Sequence, residues 1–561
     1  MALLGVALAL QYRSALRMPL LGDDYAILDR TRWASFAELW SRGRLFSHWY
    51  RPVSRELYYW AMQRLAGLRV LPWHLASFAL WLASLGIFVA FARRLAGSRA
   101  ALLAAACVAA LASWGGPLLW VAGVQELWML LFALGYLLAF ARRRPLAAAV
   151  LLALALLSKE TAAVLPGVAL AYALAVDRDR PLAALRRLAP SAALLVAWLL
   201  WHPWVLPRLL GARVEPVESG TRPGLAAVTL HTALAPFNLE EWPAPVSGWA
   251  AALGRGLPGI AALLALGAWA LWRADRRAPA APPAGVTAFL AAWAALGTLP
   301  LFLPSIGWHA YYGLFGALGL WLLLARALAR RRILALAALA ALAVLRPLRA
   351  DTPSWDWSSQ AYFERAGSYI ESLRADLLRR HPALPPHARL FFAHVPQNIG
   401  LVVADGPAFR IWYADSTLRA GFYTDYAPRP AGAPAGPDLF FCFDGRSAWR
   451  EVTKGPDDPA LARGADPDWE QDHRELALLL GSRRDWAGAA GELDKLAAVR
   501  PQRRDYADNL AYCRARALLA AGSGGAEATA AAPRGRARRA VAPPAALSGG
   551  GQSEPRGGFQ R

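Results

Sequence analysis

The chain has 561 residues, 57% of them hydrophobic, and a formal charge of +22. A soluble protein of this length needs far more polar surface to cover its cores. Nor does the charge point to nucleic acid: it falls in short clusters between apolar blocks, with no basic recognition helix, aromatic platform or zinc spacing.

The first apolar block, Met1 to Leu10, spans about 15 Å as a helix, half of a bilayer core. No basic residue precedes it, which argues against a cleaved signal peptide. It reads either as a short helix shielded by its neighbours or as one whose start has been placed too late.

Gly22-Asp23-Asp24-Tyr25 comes next. Adjacent carboxylates repel, which raises the pKa of one toward general-base use; the same turn also occurs as a solvated cap. Residues 33–46 carry Trp33, Phe36, Leu39, Trp40 and Phe46 at helical spacing, predicting an interfacial helix or a buried loop helix. His48-Trp49-Tyr50-Arg51-Pro52, with Arg55, Tyr58 and Tyr59, sets a guanidinium beside aromatic rings. That suits sugar or phosphate recognition, although an interfacial aromatic belt with a snorkelling arginine has the same composition.

Further apolar blocks run over Trp73 to Ala92, Leu146 to Leu157, Leu188 to Leu206, Gly285 to Pro304 and Ile333 to Leu345. Most approach the roughly 17–25 residues that a spanning helix needs. Their Ala/Leu runs lack a barrel's alternation, so they are helices. Arginine clusters punctuate every second block: Arg93/Arg94/Arg99, Arg142/Arg143/Arg144, Arg178/Arg180/Arg186/Arg187, Arg273/Arg276/Arg277 and Arg326/Arg330/Arg331/Arg332. The turns between them are Gly115-Gly116-Pro117, the region of Ser158-Lys159-Glu160, and Pro304-Ser305-Ile306-Gly307. Positive-inside alternation puts the arginine turns in the cytoplasm. The expectation is a polytopic α-helical membrane protein with about eleven transmembrane helices. Residues 12–70, 158–160, 207–255, 304–311 and everything after about 347 then lie outside.

Ionisable groups at membrane depth are candidates for function. Lys159 is one of three lysines in a chain with dozens of arginines. A compact point charge there fits a phosphate contact; a Lys159–Glu160 interfacial pair is the structural reading. The outer segments add Arg208, Arg213, Glu215 and Arg222, then Trp308-His309-Ala310-Tyr311-Tyr312. A histidine such as His309 is by itself more often structural than catalytic.

Beyond the membrane half, Asp351 to Arg380 has helical spacing, and strand-like runs follow at Leu390 to Val395, Phe409 to Tyr413 and Leu439 to Phe443. Residues 348–460 therefore read as a soluble α/β domain. Asp485-Trp486, Ala489, Leu493 and Pro501 fall at tetratricopeptide offsets within 461–520. Residues 521–561 read as a disordered basic tail. Cys107 reads as a packing residue; Cys442 and Cys513 read as two unpaired thiols, with a pairing outside the cell as the alternative.

These motifs, in this order, resemble the GT-C superfamily, in particular protein O-mannosyltransferase-like membrane enzymes. The resemblance covers residues 1–347: the acidic pair Asp23-Asp24 in the first outer loop, Tyr50-Arg51-Pro52, the element Pro117 to Leu127, Leu156 to Glu160, and Tyr311-Tyr312. One element departs: the family often has Gly-Arg-x-Asp where this chain has Gly123-Val124-Gln125-Glu126. The resemblance implies transfer of a sugar from a polyprenyl-phosphate donor to an acceptor hydroxyl at the periplasmic face of a bacterial inner membrane. Asp23 would be the general base, and Asp24, also catalytic, would help orient the acceptor or share the proton. Lys159, Arg51 and Arg208 would hold the donor phosphate, and His48, Tyr50, Glu160, His309, Tyr311 and Tyr312 would contact substrate. Configuration would invert, and neither cofactor nor metal is expected. The partners are the lipid-linked sugar, the bilayer and a protein or glycolipid acceptor. Two other readings are a transporter, disfavoured by polar groups at helix ends rather than mid-membrane, and an inactive scaffold recruiting partners through its tetratricopeptide-like end.

The topology predicts labelling. In a cysteine-free background, Ile306→Cys reacts with an impermeant maleimide from outside the cell, and Arg143→Cys reacts only after lysis; the reverse pattern contradicts it.

Overall fold

The computed structural model describes residues 2–42, 49–203, 205, 224–241, 243, 245–273, 284–302, 308–349, 359–393, 395–396, 399–422, 429–443, 449–451, and most of 473–499 and 503–520. It divides into two compact units, up to Gly367 and from Ser368.

The first unit is helical. Six helices among the described residues are long and apolar enough to cross a membrane: Val70–Ala109, Val121–Ala141, Pro181–Trp201, Val246–Trp272, Ala284–Phe302 and Ala310–Leu328. Shorter apolar helices cover Ala2–Gln11, Pro145–Leu156, Glu160–Ala175 and Leu225–Phe237. Proline opens the helices at Pro145 and Pro181, where its missing N–H costs nothing. Arg143 and Arg178, both at φ 55°, take the left-handed conformation that ends the preceding helices.

Val70–Ala109 is broken at Gly97 (φ 78°, ψ 170°), a backbone conformation that side chains disfavour. Residues nearly equidistant from Gly97 in sequence touch across it. Trp81 and Trp114 have ring centroids 5.7 Å apart, and His74 Nδ1 lies 3.3 Å from the Leu118 carbonyl oxygen. The chain therefore doubles back at Gly97, with Arg93, Arg94 and Arg99 at the bend. The arginine turns that follow are clamped to one another: Arg143 to Asp179 at 3.0 Å, and Arg187 to Asp177 at 2.6 Å and Asp179 at 2.8 Å. The helix Pro145–Leu156 runs from this arginine end to the segment 157–160, so that segment lies at the other end of the bundle.

Two further devices organise that other end. Pro52–Leu57 forms one wide π-helical turn, a rare form frequent at functional sites. It docks on the 157–158 turn through Val53 N–H to the Leu157 carbonyl (3.2 Å) and Ser54 Oγ to the Ser158 carbonyl (2.6 Å). Asn238, in the left-handed region at φ 59°, ties three segments together. Its amide donates to the carbonyls of Ala110 and Leu342 (both 3.0 Å) and accepts from Ala112 N–H (2.8 Å).

The expected helix over 33–46 is not present among the described residues. The helix Asp23–Thr31 ends first, and only a short 3-10 turn forms at Glu38–Trp40. Phe36 instead packs edge-on against Trp40 and Trp60, at 6.1 and 5.8 Å.

The second unit holds a four-stranded sheet in the order β2-β1-β3-β4, with β1 Arg389–Ala393, β2 Arg419–Phe422, β3 Asp438–Phe443 and β4 Trp449–Glu451. β1 runs parallel to β2 and β3, and β4 is antiparallel to β3. Phe409 to Tyr413 is not a strand. Gly406 in the left-handed region and Pro407 at the first helical position start the helix Pro407–Trp412 instead, a local start signal that overrides the aromatic, β-branched run. Further on, the helices Trp486–Val499 and Arg504–Ala520 pack Leu493 and Leu496 against Tyr506, Leu510 and Cys513. Asp485 caps the first of them through Gly488 N–H at 3.0 Å. Cys107 and Cys513 are free thiols. The side chain of Cys442 and the tail after Ala520 lie outside the described residues.

If Gly97 carries the hairpin, Gly97→Ala lowers stability by about 1–3 kcal/mol. Thermal unfolding in detergent reads this directly, and an unchanged midpoint contradicts the strained turn.

Candidate functional site

At the end opposite the arginine turns, side chains from segments far apart in sequence converge. The helix Asp23–Thr31 begins with the acidic pair. Asp24 is fully buried and accepts three hydrogen bonds: Leu21 N–H (2.8 Å), Tyr59 O–H (2.6 Å) and Ala122 N–H (2.7 Å). Asp23, one residue earlier, is only partly buried. Burial pushes Asp24 up to about 7, against the pull of its three donors, while the charge of Asp23 is the smallest contribution. The sequence-based reason, repulsion between adjacent carboxylates, is therefore corrected: desolvation dominates.

The Ala122 backbone passes the connection on. Its carbonyl accepts from Gln125 Nε2 at 2.9 Å, and Gln125 Oε1 accepts from Arg51 Nη1 at 2.9 Å. Arg51 Nε and Nη2 engage the Glu160 carboxylate at 2.8 and 2.6 Å. His202 Nε2 approaches Glu160 at 3.5 Å. Arg51 also sits over the Trp49 ring, 4.8 Å from its centroid. An unbroken series of polar contacts thus joins the acidic turn to the residue after Lys159.

Lys159 is buried, and its ammonium contacts Glu126 Oε2 at 2.6 Å. The alternative Lys159–Glu160 pair does not form, because the extended backbone at Lys159 (φ −164°, ψ 140°) sends successive side chains apart. Glu160 goes to Arg51 and Lys159 to Glu126. The ammonium lies 4.0 Å from the Tyr312 ring centroid and 4.9 Å from that of Tyr311. His309 stacks on Tyr311 at 5.5 Å with an interplanar angle of 12°. Gly116 is kept small by Tyr311: a Cβ there would meet its Cδ1 at 3.0 Å. The 115–123 segment, the 158–160 turn and the 309–312 turn are therefore mutually packed.

Of the residues singled out in the sequence, Asp23, Asp24, Arg51, Lys159, Glu160, His309, Tyr311 and Tyr312 gather at this end. Tyr50 turns away, its hydroxyl donating to the Trp40 carbonyl at 3.0 Å. His48 and Arg208 lie outside the described residues, as do Arg213, Glu215 and Arg222. Sequence reasoning did not place Gln125, Glu126 or His202 in the site; it grouped Tyr59 with Arg51, without the contact to Asp24. The signal was present for two of them, since Gln125-Glu126 is a polar pair interrupting an apolar run. Among the described residues, no group of three or more His, Cys, Asp or Glu stands ready for a metal ion.

No family model matches the chain, and no curated protein matches it. Among solved structures it is similar to ArnT from Cupriavidus metallidurans in the apo state, at 18% identity and a TM-score of 0.38, covering 75% of this chain and 84% of that one. It is also similar to ArnT from the same organism bound to undecaprenyl phosphate, at 16% identity and a TM-score of 0.38, covering 79% and 93%. Likeness at this level does not fix a family.

Folded Asp24 holds its proton more tightly than an unfolded chain does. Its contribution to stability is therefore fully present below about pH 3.8 and lost as pH rises through about 7. Relative to Asp24→Asn, the parent should lose thermal stability between acidic and mildly alkaline buffer. Parallel curves for the two proteins would contradict the assignment.

Proposed function

We propose that this chain is a multi-pass membrane glycosyltransferase of GT-C type, with about eleven spans. In this reading it moves a sugar from a polyprenyl-phosphate donor to an acceptor hydroxyl at the periplasmic face. The observation that carries the proposal is the polar series from Asp24 through Ala122, Gln125 and Arg51 to Glu160, ending beside Lys159. It couples an acidic turn to the buried Arg51 and Lys159 at one end of the bundle, an acid and a cation that glycosyl transfer from a lipid phosphate can use.

Asp23, the less buried of the two acids, takes the proton of the acceptor hydroxyl. Asp24, fixed by its three donors, positions the turn. The acceptor oxygen attacks the anomeric carbon from the side away from the phosphate, so configuration inverts. The bond between that carbon and the phosphate oxygen breaks, and the electron pair stays on phosphate. Lys159 stabilises the charge that develops there. Arg51 spends its donors on Glu160 and Gln125, so its contribution is the field of its charge and the anchoring of the π turn; Arg208 is the further candidate from the outer loop. His309, Tyr311, Tyr312 and Glu160 line the sugar side, and His48 remains a candidate contact to substrate. The reaction needs no cofactor, and the acceptor is a protein or a glycolipid. The soluble unit lies in the periplasm, and its tetratricopeptide-like helices would present acceptors or partners.

The scaffold reading draws on a specific observation too: both cations are already matched by carboxylates within the protein. Asp23→Asn separates the two readings. The purified variant in detergent should fold like the parent and lose label transfer from polyprenyl-phosphate sugars by about 100-fold or more. Full transfer by the variant, or none by the parent with any donor, contradicts the proposal.

A further inference from the structure

The Lys159–Glu126 contact bears on which phosphate the site retains. Glu126 is completely buried, and its Oε2 is 2.6 Å from the Lys159 ammonium. Its other oxygen, Oε1, is buried with no hydrogen-bond partner among the described residues. The unsatisfied oxygen is costly, while the carboxylate's charge offsets that of buried Lys159. Glutamine would fill nearly the same volume and leave the Lys159 ammonium without that counter-charge.

The same charge has a consequence for the ligand. Among the described residues, the cations at the centre are Arg51 and Lys159, and the carboxylates in contact with them are Glu160 and Glu126. Those four cancel. An incoming lipid phosphodiester brings one negative charge. The lipid monophosphate left after transfer brings two once its second proton has gone, with a pKa of about 6 for that step. The fixed negative charge of Glu126 beside Lys159 repels the second phosphate charge as well as the first, so it disfavours the dianion more than the monoanion.

We infer that Glu126 is a charge-selecting residue. By competing for Lys159, it lets the site hold a monoanionic lipid phosphodiester and disfavours the dianionic lipid monophosphate, so that the spent carrier leaves. The inference rests on the transferase reading of Lys159 and adds to it a specificity for phosphate charge. The competition is direct, since phosphate oxygens and Glu126 Oε2 would seek the same ammonium protons, and the aromatic faces of Tyr311 and Tyr312 contribute no formal charge to that balance.

The test compares two probes, undecaprenyl monophosphate and its methyl phosphodiester, binding to the full chain in detergent micelles at about pH 8, where the monoester is a dianion. The quantity read is the ratio of their dissociation constants. Glu126→Gln should shift that ratio toward the monophosphate by about tenfold or more. Glu126→Asp, which keeps the charge but withdraws it from Lys159, should shift it less and in the same direction; it also serves if the glutamine variant does not fold. A ratio unchanged in both variants overturns the charge selection while leaving the transferase reading standing. If the parent protein binds neither lipid, the transferase reading falls and this inference with it.

Discussion

The candidate site depends on two buried ion pairs formed across large sequence separations, Arg51 with Glu160 and Lys159 with Glu126. Taking four charges out of water costs several kcal/mol per ion. The cost is offset only when geometry is close and the remaining donors are used. Arg51 meets that condition through Glu160 and Gln125. Lys159 meets it through Glu126 and the tyrosine faces. Each pair also fixes the relative position of elements that share no local sequence: the π turn after Arg51, the 115–126 segment, and the turn between the helices Pro145–Leu156 and Glu160–Ala175. Breaking either pair would leave a buried charge alone and loosen that packing together.

Charge cancellation also shapes the chemistry. A site built only to attract phosphate would leave its cations uncompensated. This one holds each cation against a carboxylate, so an anionic ligand must compete for what it binds. In the transferase reading that competition turns affinity into turnover, because the donor and the spent carrier differ by one charge. The acidic turn joins the same balance through Asp24, whose carboxyl is held by donors from three different segments.

Much of this organisation was legible in the sequence because it follows from short-range rules. The alternation of arginine turns marked the helix ends, and the structure clamps Arg143, Asp177, Asp179 and Arg187 together at one of them. Gly22-Asp23-Asp24, Tyr50-Arg51-Pro52 and Leu156 to Glu160 stood out as polar breaks at span ends. Pairing was not legible. Lys159 and Glu160 are neighbours in sequence, yet the extended backbone at Lys159 sends them to different partners, and no local pattern reveals Glu126 across a 33-residue separation. The same limit explains Tyr59, which reaches Asp24 through tertiary packing alone. The run Phe409 to Tyr413 misled for the opposite reason: its composition favours a strand, and the Gly406-Pro407 start signal beside it favours a helix.

The most direct measurement is to irradiate the purified chain with a photoreactive polyprenyl phosphate and map the adducts by mass spectrometry. Convergence of the acidic turn and the lysine on one lipid phosphate predicts adducts in peptides containing Asp23, Arg51, Gln125, Lys159 and Tyr312. Adducts confined to the turns around Gly97 and Arg143, or scattered along the spans with none at these five, would contradict it.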